Sequence, residues 1–263
     1  MSSALERGGL SRPFAFWPRL LSLSSAGGAM VERIDKASPR TVARIAGLLY
    51  LLDILTSLLG EALVGRTQVV PGDTVATAAN ISAHEPLLRW GVAANLFATA
   101  CYVGVTVLFY ALFKVVKRSV ARLAMLTGLV ALAIWTFGSL CQLAATLVLR
   151  GGNVNGSRAE RQALRFLEWN AHAANIGLVV FGVFCLLIGY LIFKSTFLPR
   201  VLGILMVVGG LGLLTYLSPA LASDLYPSNV VPALVGETAL MLWLLLMGVN
   251  VQRWEALASA ARS

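Results

Sequence analysis

Four stretches of this sequence contain no Asp, Glu, Lys or Arg: Trp90–Phe113, Leu123–Leu149, Trp169–Phe193 and Val201–Ser223. A bilayer-spanning helix needs about twenty mainly apolar residues in a row, and a soluble helix of that length would carry a polar face. Each run is therefore read as a membrane span. Two more runs, Ile45–Val64 and Val230–Gln252, are as apolar but enclose acids, Asp53 in the first and Glu237 in the second. An ionisable group held in a span is costly without a partner or water, and such groups mark places where function is sought. The fold class that follows is all-α: an integral membrane bundle of six transmembrane helices, at about residues 43–64, 88–113, 122–149, 170–193, 199–222 and 230–250.

Composition agrees. The hydrophobic fraction is 58% and the charged fraction 13%, where a soluble domain is about a quarter charged. The net charge of +9 does not signal nucleic acid, because no basic cluster is interleaved with aromatics. The charge follows topology instead. With a cytoplasmic N-terminus, twelve Lys and Arg of the short connecting segments fall inside and six outside, and Lys36, Lys114, Lys117 and Lys194 are all inside. That excess predicts both termini cytoplasmic. Trp90 and Trp169 then stand at outer interfaces and Tyr110, Tyr190 and Trp254 at inner ones, as aromatic belts do.

Residues 1–38 read as a disordered basic tail. Their apolar patch, Phe14–Leu23, is broken by Pro18 and Arg19 and does not make a secretory signal core; Met30 is a natural alternative start. Residues 253–263 read as a short cytoplasmic tail. In the first outer loop, Pro71-Gly72 is a turn and Asp73 caps a short helix whose Val75, Ala76, Ala79 and Ile81 are expected to lie on the membrane surface. Gly151–Ser157 reads as a flexible segment, and a basic amphipathic stretch from Arg158 leads into the fourth span. The inner connections, Lys114–Arg122 and Lys194–Arg200, are short and basic.

Several of these segments together are similar to one family. They are Ala43-Arg44-Ile45-Ala46-Gly47-Leu48, Pro71-Gly72-Asp73 with Asn80-Ile81, Leu187-Ile188-Gly189-Tyr190-Leu191, and Phe197-Leu198-Pro199-Arg200 with Leu202-Gly203. From about Arg40 to Gly248 the chain resembles the bacterial multi-pass membrane family catalogued as domain of unknown function 4386. The resemblance implies six spans in a bacterial inner membrane and brings no reaction, ligand or catalytic residue with it.

Chemistry is therefore sought in polar residues three, four or seven apart, which share a helix face. The stripes are Tyr50, Asp53, Ser57 and Glu61; Asn95, Thr99, Tyr102 and Thr106; Ser139, Gln142 and Thr146; and Glu168, His172 and Asn175. With alternating helix directions the strongest groups gather in the outer half. The candidate ligand-binding set is Asp53, Glu61, Arg89, Asn95, Gln142, His172, Asn175 and Glu237. Each has a plainer reading: amides and hydroxyls tie helices together, Arg89 snorkels to headgroups, His172 sits at the interface, and the acids form structural pairs with Arg89 or His172. No cofactor or metal site is expected. Cys101, Cys141 and Cys185 lack paired spacing, His84 and His172 share no helix, and there is no phosphate loop, nucleophile elbow or His-Glu-x-x-His.

Three functional classes remain. The first is a carrier-like protein that binds a small polar or cationic ligand, or a proton, in an outward-facing cavity. The second is a non-catalytic subunit that needs a partner membrane protein or a second copy; its small-residue faces, Ala100 with Gly104 and Gly209 with Gly212, allow close packing either within the bundle or against that partner. The third is an enzyme acting on a lipophilic substrate with Asp53, Glu237 and His172 as acid-base groups. Lipids are the only expected partner common to all three.

Overall fold

A computed structural model describes residues 37–65, 74–150 and 156–261. The expected tail at 1–36, the turn at Pro71-Gly72, the Asp73 cap and most of the Gly151–Ser157 segment lie outside the described residues. Helix α1, Pro39–Val64, starts where the Ser38 hydroxyl accepts from the Thr41 amide, with Pro39 in the first turn. Helix α2, Thr74–Ala83, is short. Helix α3, Glu85–Arg150, is 66 residues long but is interrupted at Lys117, whose backbone is extended (φ −158°, ψ 101°). Its two ends meet, with Arg150 Nε 3.4 Å from Glu85 Oε1. α3 is therefore a hairpin of two arms, residues 85–116 and 118–150. The fold-back falls among Lys114, Lys117, Arg118 and Arg122, a cluster too basic for hydrocarbon.

Helix α4, Gly156–Lys194, has 39 residues, about 58 Å by helical rise, and so extends well past an apolar layer about 30 Å thick. Helix α5, Arg200–Leu214, ends in a tighter turn at Thr215–Leu217. Helix α6, Pro219–Leu225, is a separate piece, so the fifth apolar helix stops short of the expected residue 222. Helix α7, Val231–Leu246, is followed by Gly248, whose φ of 72° only glycine adopts without strain. Beyond it helix α8, Val251–Ala260, turns away by 99°. Residues 251–260, mostly read as tail, are thus helical. The Trp254 indole donates to Leu112 O (2.9 Å) and Arg253 to Thr196 O (3.1 Å), which fastens α8 across the fold-back end of the bundle.

Among the described residues everything regular is helical. Pro39–Val64, Glu85–Arg150, Arg158–Lys194 and Arg200–Leu217 are each long and apolar enough to cross a membrane, and Val231–Leu246 with Val251–Ala260 makes a fifth if taken as one bent span. The order of packing is α1 on α3, α3 on α4, α4 on α5, α5 on α7, and α7 back on α1, a closed ring. Outside it stand large apolar side chains such as Leu58, Phe97, Leu126, Ile176, Val201 and Leu211, all around half exposed. A continuous apolar exterior of this kind suits hydrocarbon and not water.

One loop expectation is corrected. Of the α2 residues expected on the membrane surface, Ile81 is instead buried beside Thr77, turned toward Leu149, Ala163, Leu164 and Leu167, while Ala79 is exposed. The extension of α4 gives α2 an apolar wall that the sequence alone does not reveal.

Candidate functional site

Polar side chains from four rods converge near the end of the bundle where Glu85 and Arg150 meet. α1 contributes Ser57 and Glu61, the first arm of α3 Asn95 and Thr99, its second arm Trp135, Ser139 and Gln142, and α4 Asn170. Together they line a cavity of about 310 Å³, at the small end of the roughly 300–1,000 Å³ typical of small-molecule sites. Asn95 Nδ2 donates to Glu61 Oε1 at 3.3 Å. Asn95 stands so close to Gly60 that a Cβ there would overlap the amide, and Gly60 and Gly91 let α1 and the first arm approach. The Trp135 indole donates to Ala174 O (3.4 Å) and lies over Gly177, which fixes one wall. Thr99 and Ser139 return their hydroxyls to Asn95 O (2.9 Å) and Trp135 O (3.1 Å), so both hydroxyls are satisfied within their own helices.

One turn below Ser57 a second group begins. Tyr102 Oη donates to Tyr50 Oη at 3.2 Å, and both tyrosines are buried. Cys185, fully buried on α4, points its thiol at Glu237 Oε1 (3.8 Å). Glu237 lies close enough to the Asp53 carboxyl and to the Tyr50 hydroxyl to interact with both. Asp53 and Glu237 are only partly enclosed by protein, and among the described residues neither forms an ion pair. The two acids expected from sequence, on α1 and α7, therefore lie within electrostatic range of each other, with phenols and a thiol as neighbours of Glu237.

The other candidates lie elsewhere. Arg89 is exposed and sits 3.5 Å from Glu85, which it holds together with Arg150. His172 is exposed and Asn175 half-buried, and neither lines the cavity. The structural pairs of Asp53 or Glu237 with Arg89 or His172 are not formed. On α4 the Glu168, His172 and Asn175 stripe is the wrong face: the inward one is Asn170, Ala173, Ala174 and Gly177, against Gly138 and Trp135. Its signal is small residues at helical spacing beside one amide. Asn170, Trp135 and Cys185 are the residues sequence reasoning missed. The small-residue faces are used inside the bundle, since Gly104 abuts Leu49, Gly209 abuts Ala233 and Gly212 abuts Asn229.

A closed ring of apolar helices with polar groups turned inward defines a helical membrane protein. The chain belongs to the family described as Domain of unknown function (DUF4386), which matches residues 45–248. Comparison with curated proteins and with solved structures gave no match.

Proposed function

We propose that the chain crosses a bacterial inner membrane six times with both termini cytoplasmic, and that it binds a small cationic or hydrogen-bonding ligand from the outer side in the Glu61 cavity. The span count follows from reading each arm of α3 as one crossing and α7 as the last, with α8 along the surface. The orientation rests on the excess of Lys and Arg at the fold-back end.

The observation that carries the ligand reading is the wall of the cavity: among the described residues that line it Glu61 is the one ionisable group, beside amides, hydroxyls and the Trp135 indole. A concave, mostly apolar space with a few convergent polar groups is the usual form of a small-molecule site. Because Arg89 and His172 stand apart, the field inside is negative, which favours a cation over an anion. Asp53 and Glu237 beneath it give a second place for positive charge: a proton or small cation between two close carboxyls removes their repulsion.

The test is a thermal melt in detergent with choline and ethylamine as probe cations and acetate as the anionic control. Parent protein is expected to melt higher with at least one cation, and Glu61→Gln to lose that shift while melting normally without ligand. Equal behaviour of parent and variant toward both cations would remove the cavity reading.

A further inference from the structure

We infer that the extension of α4 beyond the apolar core is a binding surface for the phosphate headgroups of anionic phospholipids. It rests on reading Trp169–Phe193 as a span and is independent of what the Glu61 cavity holds.

α4 begins thirteen residues before Trp169 (169 − 156 = 13), a stretch of about 20 Å by helical rise. The two faces of this stretch differ. Ala163, Leu164 and Leu167 turn toward Thr77 and Ile81 of α2 and toward Leu149, and Ala163 is buried. Opposite them, Arg158, Arg161, Arg165 and Trp169 are all exposed. Their spacings of three, four and four put them on one helix face. The packing against α2 therefore fixes which way the arginines point, and they point outward.

Charge and depth name the occupant. Among the described residues none of the three guanidiniums is ion-paired, although Glu160 and Glu168 lie on the same helix. Arg150 and Arg89, by contrast, are both spent on Glu85. Trp169, at the start of the charge-free run, is an interfacial anchor, so Arg165 and Arg161 stand about 6 and 12 Å beyond it. Given roughly 5–8 Å of polar region per leaflet, Arg165 stands in the headgroup layer and Arg161 a few ångströms outside it, from where a long side chain reaches back. Guanidinium binds phosphate oxygens in bidentate fashion, and basic residues near an anionic surface add attraction that decays within a Debye length.

The experiment follows detergent-solubilised full-length protein by its melting temperature on addition of phosphatidylglycerol, phosphatidylcholine or inorganic phosphate. Phosphatidylglycerol is expected to raise it by roughly 2–4 °C, with the other two ineffective, and the rise should shrink as sodium chloride is increased. The triple variant Arg158→Gln, Arg161→Gln, Arg165→Gln should melt like the parent in phosphatidylcholine and lose most of the phosphatidylglycerol shift. A shift retained in full by the triple variant, a shift indifferent to salt, no shift at all, or the same shift with inorganic phosphate alone would each overturn the inference. The salt series needs only the parent chain, so the answer does not depend on the variant folding. Failure here leaves the Glu61→Gln result untouched, because that variant is read out with choline and ethylamine.

Discussion

At the scale of single residues, the acids differ in what surrounds them. Glu61 is held by Asn95 at the cavity wall, whereas Asp53 and Glu237 have each other and no base. Neutralising one acid of a like-charged pair relieves repulsion, so Asp53→Asn and Glu237→Gln are each expected to hold or raise the melting temperature. The double variant should gain less than the sum, with a coupling of roughly 0.5–3 kcal/mol as neighbouring groups show. A double-mutant cycle by thermal melts checks this, and strictly additive effects would separate the two acids. Gly60→Ala acts differently. Its Cβ would overlap the Asn95 amide, forcing Asn95 off Glu61 or spreading the helices at a cost of about 1–3 kcal/mol. Cation-dependent stabilisation of that variant should fall along with its melting temperature, although no charge is changed.

Among the helices, α4 crosses α5 with backbone against backbone. A Cβ on Gly189 would lie 2.7 Å from Gly203 O, and one on Gly203 2.8 Å from Gly189 O; Gly182 and Gly210 repeat the contact one heptad away. Two rods of backbone in contact suit a membrane, where apolar side chains gain nothing by leaving lipid and close packing drives association. Gly189→Val is expected to destabilise by more than the about 1–3 kcal/mol of ordinary overpacking, because the obstacle is backbone, while Val at the exposed Leu211 position should be neutral in the same melts. α8 depends on fewer contacts. Trp254→Phe removes its indole bond to Leu112 O and should free residues 251–260 to proteolysis without lowering the melting temperature of the ring. Unchanged cleavage would show that Asn250, which caps α8 and bonds to Phe197 O, suffices.

Taken as a whole, the molecule makes a topology that reporters can read. A fusion after Arg262 is expected to report cytoplasm and one in residues 151–155 the outside; the reverse pattern overturns the orientation, and agreement between the two sites overturns the three crossings placed between them. The apolar rods were legible in the sequence because hydrocarbon demands long charge-free runs, and the family resemblance is carried by segments in them and in the loops between them. Breaks were less legible: the fold-back at Lys117 has helix on both sides of one extended residue, and the bend at Gly248 looks locally like any glycine in an apolar run. Of the site, Asp53, Glu61, Asn95, Gln142 and Glu237 were picked out by their depth and spacing. Asn170 is not singled out by the sequence, and His172 and Asn175 are, because two polar stripes on α4 compete and only its neighbours decide which one faces in. The end of α4 misled for the same reason, since α2 folds back onto it.

Below the cavity, the centre of the ring is filled by rings. Tyr50 meets Tyr102 edge-on at 5.1 Å, Tyr102 meets Phe181 and Phe184, and Phe109, Phe113 and Phe197 continue the series toward the fold-back end. If the cavity takes a ligand as proposed, these rings lie between it and the fold-back end, and a carrier built this way must part an aromatic seam. That seam is held by shape and not by ion pairs, and its opening should answer to side-chain volume and hardly at all to ionic strength. On that reading Tyr102→Ala, which removes a ring from the seam, is expected to make vesicles carrying the variant lose an imposed proton gradient faster than vesicles carrying the parent; equal decay would separate the seam from any conduction path.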